Sequence, residues 1–111
     1  MIPEEYKPLI DKISSVTDQK KFRWEKTSDE EKFLLNLGLN SVTIHYFEAY
    51  PDDSPTVGFE IRDRLGDRID GIYISQDERD YDTMWELYRS ARRNALKIGD
   101  TISNMMKFLE D

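Results

Sequence analysis

The stretch T-V-G-F-E-I-R-D-R-L-G-D-R-I-D-G-I-Y-I-S, residues 56–75, carries the clearest structural pattern in the chain. Apolar and polar side chains alternate on both sides of Leu65-Gly66, which is the period of a β-strand. The stretch therefore predicts a β-hairpin with one apolar face. A two-residue loop at Leu65-Gly66 predicts three favourable cross-strand pairs: Val57 with Ile74, Phe59 with Ile72, and Asp63 with Arg68.

The segment before it, residues 31–50, repeats the pattern and predicts a second hairpin. A tip at Leu39-Asn40 predicts these pairs: Leu37 with Val42, Leu35 with Ile44, and Phe33 with Tyr46. Both hairpins then share one apolar face, and a slip of one residue would move every apolar side chain to the other face. A short strand at Phe22, Trp24 and Lys26 completes a five-stranded antiparallel meander.

Helical patterns flank the strands. Residues 3–17 predict an amphipathic helix, although Pro8 opposes a hydrogen bond inside it, so the helix begins either at Pro3 or near Lys7. In the last third, apolar residues recur at alternating steps of four and three, which is a heptad stripe. The stripe comprises Met84, Tyr88, Ala91, Ala95, Ile98, Ile102, Met105 and Leu109.

The C-terminal stripe has two features that conflict. Its phase continues through Gly99-Asp100, yet these residues are typical of a helix stop and a new cap. We expect one long or kinked helix packed on one sheet face, with two helices as the alternative. Such a helix is about 40 Å long, whereas five strands are about 20 Å wide. Its distal half, residues 98–109, therefore either crosses the sheet diagonally or pairs with a second copy.

The composition favours a single α+β domain over residues 1–111 and restricts the chemistry. The chain has no cysteine, which excludes disulfides, thiolate zinc sites and a cysteine nucleophile. Its net charge of −7, from 23 acidic and 16 basic residues, argues against nucleic acid as a partner. The first residues carry two glutamates, and no apolar run could span a bilayer, so we expect no signal peptide, no membrane partner and a cytoplasmic location.

The search for chemistry finds no catalytic, cofactor-binding or metal-binding motif. The only histidine, His45, lies in the middle of a predicted strand and has no second imidazole to share a metal. Asp63, Asp67 and Asp70 alternate with arginines, which indicates surface ion pairs and not a calcium loop. Three arginines on the last helix could hold phosphate, but the acidic surroundings favour a solvated face. We therefore expect no enzymatic activity and no cofactor.

The second face of the sheet is more apolar than a face in water needs to be. The predicted registers place Tyr73 opposite Gly58 and Phe47 close on its other side, and large aromatic rings that lean over glycines in strands stabilise them. Either helix 1 or a partner covers this face. Together with the distal helix it forms the candidate interaction surface, which comprises Leu34, His45, Phe47, Ile69, Tyr73, Ile102, Met105 and Leu109.

Residues 22–109 resemble a group of small, uncharacterised bacterial helix–sheet–helix proteins. The resemblance is carried by R-W-E-K-T at 23–27, S-V-T-I at 41–44, F-E-I-R-D at 59–63 and L-Y-R-S-A-R-R-N-A-L at 87–96. It implies a bacterial or phage origin and the same order of elements. It implies no activity and no catalytic residues.

Three hypotheses of function follow. The first is a non-enzymatic protein-interaction module that associates with itself or with another protein. The second is an acidic chaperone-like or nucleic-acid-mimicking inhibitor, which requires Glu60, Asp63, Asp67 and Asp70 to form one continuous stripe. The third is a carboxylate-based hydrolase, which requires a concave pocket that holds two carboxyl groups.

Overall fold

A computed structural model describes residues 1–110 of the chain and shows an α+β fold. Within these residues a short 3-10 turn, Glu4–Tyr6, precedes three helices and five strands. In chain order they are α1 (Lys7–Asp18), β1 (Glu25–Lys26), β2 (Lys32–Leu37), β3 (Asn40–Ala49), β4 (Ser54–Arg62), β5 (Arg68–Ser75), α2 (Tyr81–Ala95) and α3 (Ile98–Glu110).

The five strands form one sheet in the order β1-β2-β3-β4-β5, and every neighbouring pair is antiparallel. The predicted meander is therefore confirmed. β1 is shorter than predicted: it begins at Glu25, so that Phe22 and Trp24 lie before the strand. Trp24 is nevertheless buried. α1 begins at Lys7 with Pro8 in its first turn, where the missing N–H costs no helical hydrogen bond.

The β4–β5 hairpin has the predicted register along most of its length, since Val57 pairs with Ile74 and Phe59 with Ile72. The pairing of Asp63 with Arg68 is wrong. The loop has three residues, 64–66, and ends on Gly66 in the left-handed conformation, at φ 88°. Asp63 accepts the N–H groups of Leu65 and Asp67 within this loop, and a bulge then sets Arg68 opposite Arg62.

The predicted tip of the β2–β3 hairpin is also wrong. The turn is Gly38-Leu39, and not Leu39-Asn40, because Gly38 adopts the left-handed conformation at φ 78°. Each predicted pair shifts by two residues, so that Leu35 pairs with Val42 and Phe33 with Ile44. A shift of two leaves every side chain on its original face, which is why the predicted apolar face survived the error.

α1 and α2 cover the same face of the sheet. Tyr6, in the turn before α1, meets the edge of Phe59 at a centroid distance of 6.1 Å, and Met84 of α2 is fully buried in the same cluster. The hypothesis that helix 1 covers the second face is therefore wrong. The buried side chains are Ile2, Tyr6, Ile10, Ile13, Trp24, Phe33, Leu35, Val42, Ile44, Val57, Phe59, Ile72, Ile74, Met84, Leu87, Tyr88 and Ala91.

The C-terminal stripe forms two helices, so the expectation of one long helix is wrong. The break lies at Lys97, which adopts the left-handed conformation at φ 53° directly after the cap of α2. This is the usual geometry of a helix stop, and it comes two residues before Gly99. Of these two C-terminal helices, α2 packs on the sheet, whereas no residue of α3 is buried. The longest dimension of the molecule is 50 Å.

Candidate interaction surfaces

The face of the sheet opposite the helices carries a group of three aromatic rings, which we call the aromatic cluster: His45, Phe47 and Tyr73. His45 stacks on Phe47 at 5.0 Å between ring centroids, and the edge of Tyr73 approaches both rings at 6.3–6.4 Å. Alternation along β3 and β5 sends these side chains away from the core. Gly58 of β4 pairs with His45 of β3 on one side and with Tyr73 of β5 on the other, and the pairing with Tyr73 is the one that the sequence predicted.

Gly58 is required by the aromatic cluster. A Cβ atom at this position would lie 2.5 Å from Cε1 of His45 and 3.0 Å from Cδ1 of Tyr73. We expect Gly58→Ala to destabilise the fold by about 1–2 kcal/mol, because the rings must move from a packed arrangement. Chemical denaturation of both proteins measures the loss. In a His45→Ala background the closest clash is absent, so Gly58→Ala should lower the free energy of unfolding by less. An equal loss in both backgrounds would contradict this explanation.

A buried ionic network lies beside the aromatic cluster and centres on Glu60, which is only 6% exposed. Its carboxylate accepts hydrogen bonds from Arg62 Nη2 and Tyr73 Oη, each at 2.6 Å. Lys32 Nζ and Arg68 Nη1 approach the same carboxylate at 3.7 and 3.5 Å. Sequence reasoning treated Glu60 as part of an acidic stripe. The signal that it missed is strand alternation, which places Lys32 of β2 and Glu60 and Arg62 of β4 on the same face of the sheet.

The network holds Glu60 in its charged form. Burial alone would raise the pKa of this carboxyl, but the Tyr73 hydrogen bond and the positive charges around it lower the pKa from 4.5 to about 2. The stability that Glu60 contributes is therefore complete above pH 4.5 and is lost as the pH falls towards 2.

This linkage predicts a pH-dependent difference between the protein and its Glu60→Gln variant. We expect the variant to be less stable at pH 6 and the difference to narrow between pH 4.5 and pH 2, as the wild-type carboxylate takes up a proton. Urea unfolding across this pH range measures it. Glu48→Gln, at an exposed position of the same sheet, is the control and should show no such narrowing. A constant Glu60 difference across the range would refute the role of its charge.

His45 is held by ring contacts within the aromatic cluster. Burial, and then the charge of Lys32, lower the pKa of its imidazole. Its Nδ1 is buried and has no hydrogen-bond partner among residues 1–110. Those residues also contain no group of three or more histidine, aspartate or glutamate side chains that could hold a metal ion. A neutral, stacked imidazole is consistent with packing in the aromatic cluster.

A cleft of about 670 Å³ opens between the β1–β2 turn and the hairpin tips, and two carboxylates line it. Both are already engaged in the backbone: Asp29 accepts the N–H of Glu31, and Asp63 accepts two N–H groups of its own loop. They act as turn caps, an ordinary structural role of aspartate.

A smaller cleft, of about 200 Å³, lies where the ends of α1 and α2 meet the start of α3. Arg93, one of the three arginines considered for phosphate, lines it together with Lys20 and Lys97, while Asp18 and Asp100 offset part of the positive charge. Arg89 instead approaches Glu86 at 4.0 Å. The three arginines therefore do not form one phosphate-binding group.

The candidate residues of the sheet do not all lie together. Leu34 pairs with Thr43, in the row of Glu60, and is half-buried. Ile69 lies at the bulge near the hairpin tip and is 60% exposed. Neither residue belongs to the aromatic cluster, although all of these residues lie outside the buried core.

The second surface is on α3. Ile102, Met105 and Leu109, which the sequence singled out, are 49%, 61% and 76% exposed. Met106 and Phe108, which the heptad positions did not include, are 52% and 82% exposed. We call this set, with the half-buried Ile98, the α3 apolar face. Met106 and Phe108 directly follow or precede heptad positions, so they widen the apolar stripe of the helix. A wider apolar face is the sequence signal that could have identified them.

Two of the segments that carry the family resemblance meet in the structure. Asn94 of α2 accepts the backbone N–H of Trp24 at 2.7 Å through Oδ1 and donates to the carbonyl of Phe22 at 3.1 Å. Arg23 donates to the backbone carbonyl of Asn94 at 2.7 Å. These contacts tie the entry of β1 to the end of α2, so both motifs have a structural role.

Comparison with known proteins gives no family for the chain: no family model, no curated protein and no solved structure matches it. The resemblance to bacterial helix–sheet–helix proteins stays a prediction. Among residues 1–110, no helix combines the length and the apolar character that crossing a membrane requires.

Proposed function

We propose that this protein is a non-enzymatic protein-interaction module that associates with a second copy of itself through α3. The observation that carries the proposal is the state of this helix: it has thirteen residues, none of them buried, and a row of large apolar side chains on its surface. A helix of this length is marginal in water without tertiary contacts, so a partner that covers the apolar face would stabilise it.

The size of the α3 apolar face supports an interface. Its side chains expose apolar area on the order of 500 Å², whereas a standard interface takes about 800 Å² from each partner. α3 alone would supply more than half of such an interface. An exposed apolar patch of this size is typical of a binding surface, and isolated apolar residues elsewhere on the surface need no explanation.

The contacts of the acidic residues give less support to an inhibitor that imitates nucleic acid. Such an inhibitor needs carboxylates that face solvent in one row. Glu60 is instead enclosed by cations, Asp63 caps its own loop, and Asp70 accepts a hydrogen bond from Tyr6. The hydrolase hypothesis is likewise weakened, because both carboxylates of the large cleft are engaged as turn caps.

Size-exclusion chromatography with light scattering tests the proposal directly. The chain has a mass of 13.2 kDa, so self-association predicts a species of twice that mass or a higher multiple. A concentration series from about 1 μM to 1 mM covers the range of ordinary reversible dimers. A mass of one chain throughout this series would refute self-association. The cytoplasmic location and the bacterial origin stay predictions from the sequence.

A further inference from the structure

The spacing of apolar residues along α3 is self-complementary. Ile98 and Leu109 lie at equal distances from a point midway between residues 103 and 104, and so do Ile102 and Met105. A two-fold axis through that point would place Ile98 of one copy against Leu109 of the other, and Ile102 against Met105. A two-fold interface of this kind requires such reciprocal contacts.

We propose that two copies pair through α3 in the antiparallel orientation, about a two-fold axis between residues 103 and 104. This inference rests on the proposed self-association and adds the geometry of the pair. The two inner positions of the stripe form the central layers of the interface, and the two outer positions form its ends. Steps of four and three residues keep all four positions on one side of the helix.

The residues that flank the stripe fit the same arrangement. On one flank Gly99 comes to lie beside Met106 of the second copy, and on the other flank Thr101 comes to lie beside Phe108. Met106 and Phe108 are 52% and 82% exposed, so each has a large free surface to place over a small residue. Alternation of large and small side chains across facing positions gives a well-packed interface.

A parallel pair fits less well. It would place each stripe residue against its own copy, and it would not bring Phe108 beside Thr101. Each copy carries a net charge of −7, and a parallel pair would hold the two bodies side by side at one end of the helices. The antiparallel pair places them at opposite ends, which reduces the repulsion between them.

Cysteine cross-linking tests the orientation, because the chain has no cysteine of its own. The antiparallel pair predicts that a mixture of Ile98→Cys and Leu109→Cys proteins forms a disulfide-linked heterodimer under mild oxidation. Ile98→Cys alone should not cross-link, since the two copies of residue 98 are then about 16 Å apart along the helix axis, beyond the reach of a disulfide. Asp100→Cys, on the polar side of α3, measures random collision.

The outcomes separate this inference from the proposed function. Efficient cross-linking of Ile98→Cys with itself would overturn the antiparallel orientation, because it requires a parallel pair. A mixture that cross-links no better than Asp100→Cys, in a protein whose light-scattering mass is that of a dimer, would also overturn the orientation and leave self-association standing. A monomeric mass for the unmodified protein would refute both the self-association and the antiparallel orientation.

Discussion

Replacing Ile102 with aspartate is expected to convert the dimer into monomers. Ile102 belongs to the central layer of the proposed interface, so the two-fold axis introduces the buried charge twice in each dimer. Desolvating unpaired carboxylates costs several kcal/mol, and we expect the dissociation constant to rise by about 1000-fold. Light scattering across the concentration series measures the change.

The matched control is Asn104→Asp, which adds the same charge to the polar side of α3. This variant should dimerise like the unmodified protein. Because Ile102 is half exposed and lies outside the buried core of its own chain, the thermal unfolding of the monomer body should be unchanged in Ile102→Asp. Dimers that survive Ile102→Asp, or that dissociate equally in Asn104→Asp, would show that α3 does not associate through its apolar face.

Replacing Asn94 with alanine is expected to destabilise the fold by about 2–3 kcal/mol. The side chain is 9% exposed and joins the end of α2 to the backbone on both sides of Arg23. Its loss leaves the N–H of Trp24 and the carbonyl of Phe22 without these partners, and an unsatisfied buried group costs about 1–3 kcal/mol. Alanine favours the helix by about 0.5 kcal/mol, which offsets only part of the loss.

Thermal unfolding measures this prediction, and the expected fall in Tm is on the order of 10 °C. Asn36→Ala is the control, because Asn36 is exposed and bonds only the side chain of Glu25 on the neighbouring strand. It should change the Tm by no more than a few degrees. Equal effects of the two substitutions would mean that Asn94 contributes no more than a surface amide.

The meander could be predicted from sequence because alternation with a period of two specifies which side chains share a face. It did not specify the hairpin tips. Gly38 and Gly66 each adopt a left-handed conformation, and this choice decided loop length and register in both hairpins. Apolar pairing tolerates a shift of two residues, since every side chain keeps its face. The pattern of apolar residues is therefore the same for the predicted turn and for the observed turn at Gly38, and it could not distinguish them.

The candidate site was predictable in part for a similar reason. His45, Phe47 and Tyr73 follow from strand alternation alone, and the structure brings them together. The network of Glu60 depends on contacts across β2, β4 and β5, which no local pattern reports. Asn94 likewise acts on residues about 70 positions away, so its role appears only when the end of α2 meets the entry of β1.

By itself the sequence determined the order of the strands, the apolar face of the sheet and the continuous stripe of the last third, because periodicity is a property of neighbouring residues. Tertiary structure alone decided that α1 and α2 cover the same face of the sheet, opposite the face that carries the aromatic cluster. It also decided that the stripe breaks at Lys97. One half of the stripe then lies in the core, and the other half, α3, has no buried residue, because the left-handed conformation of Lys97 ends the packed helix before α3 begins.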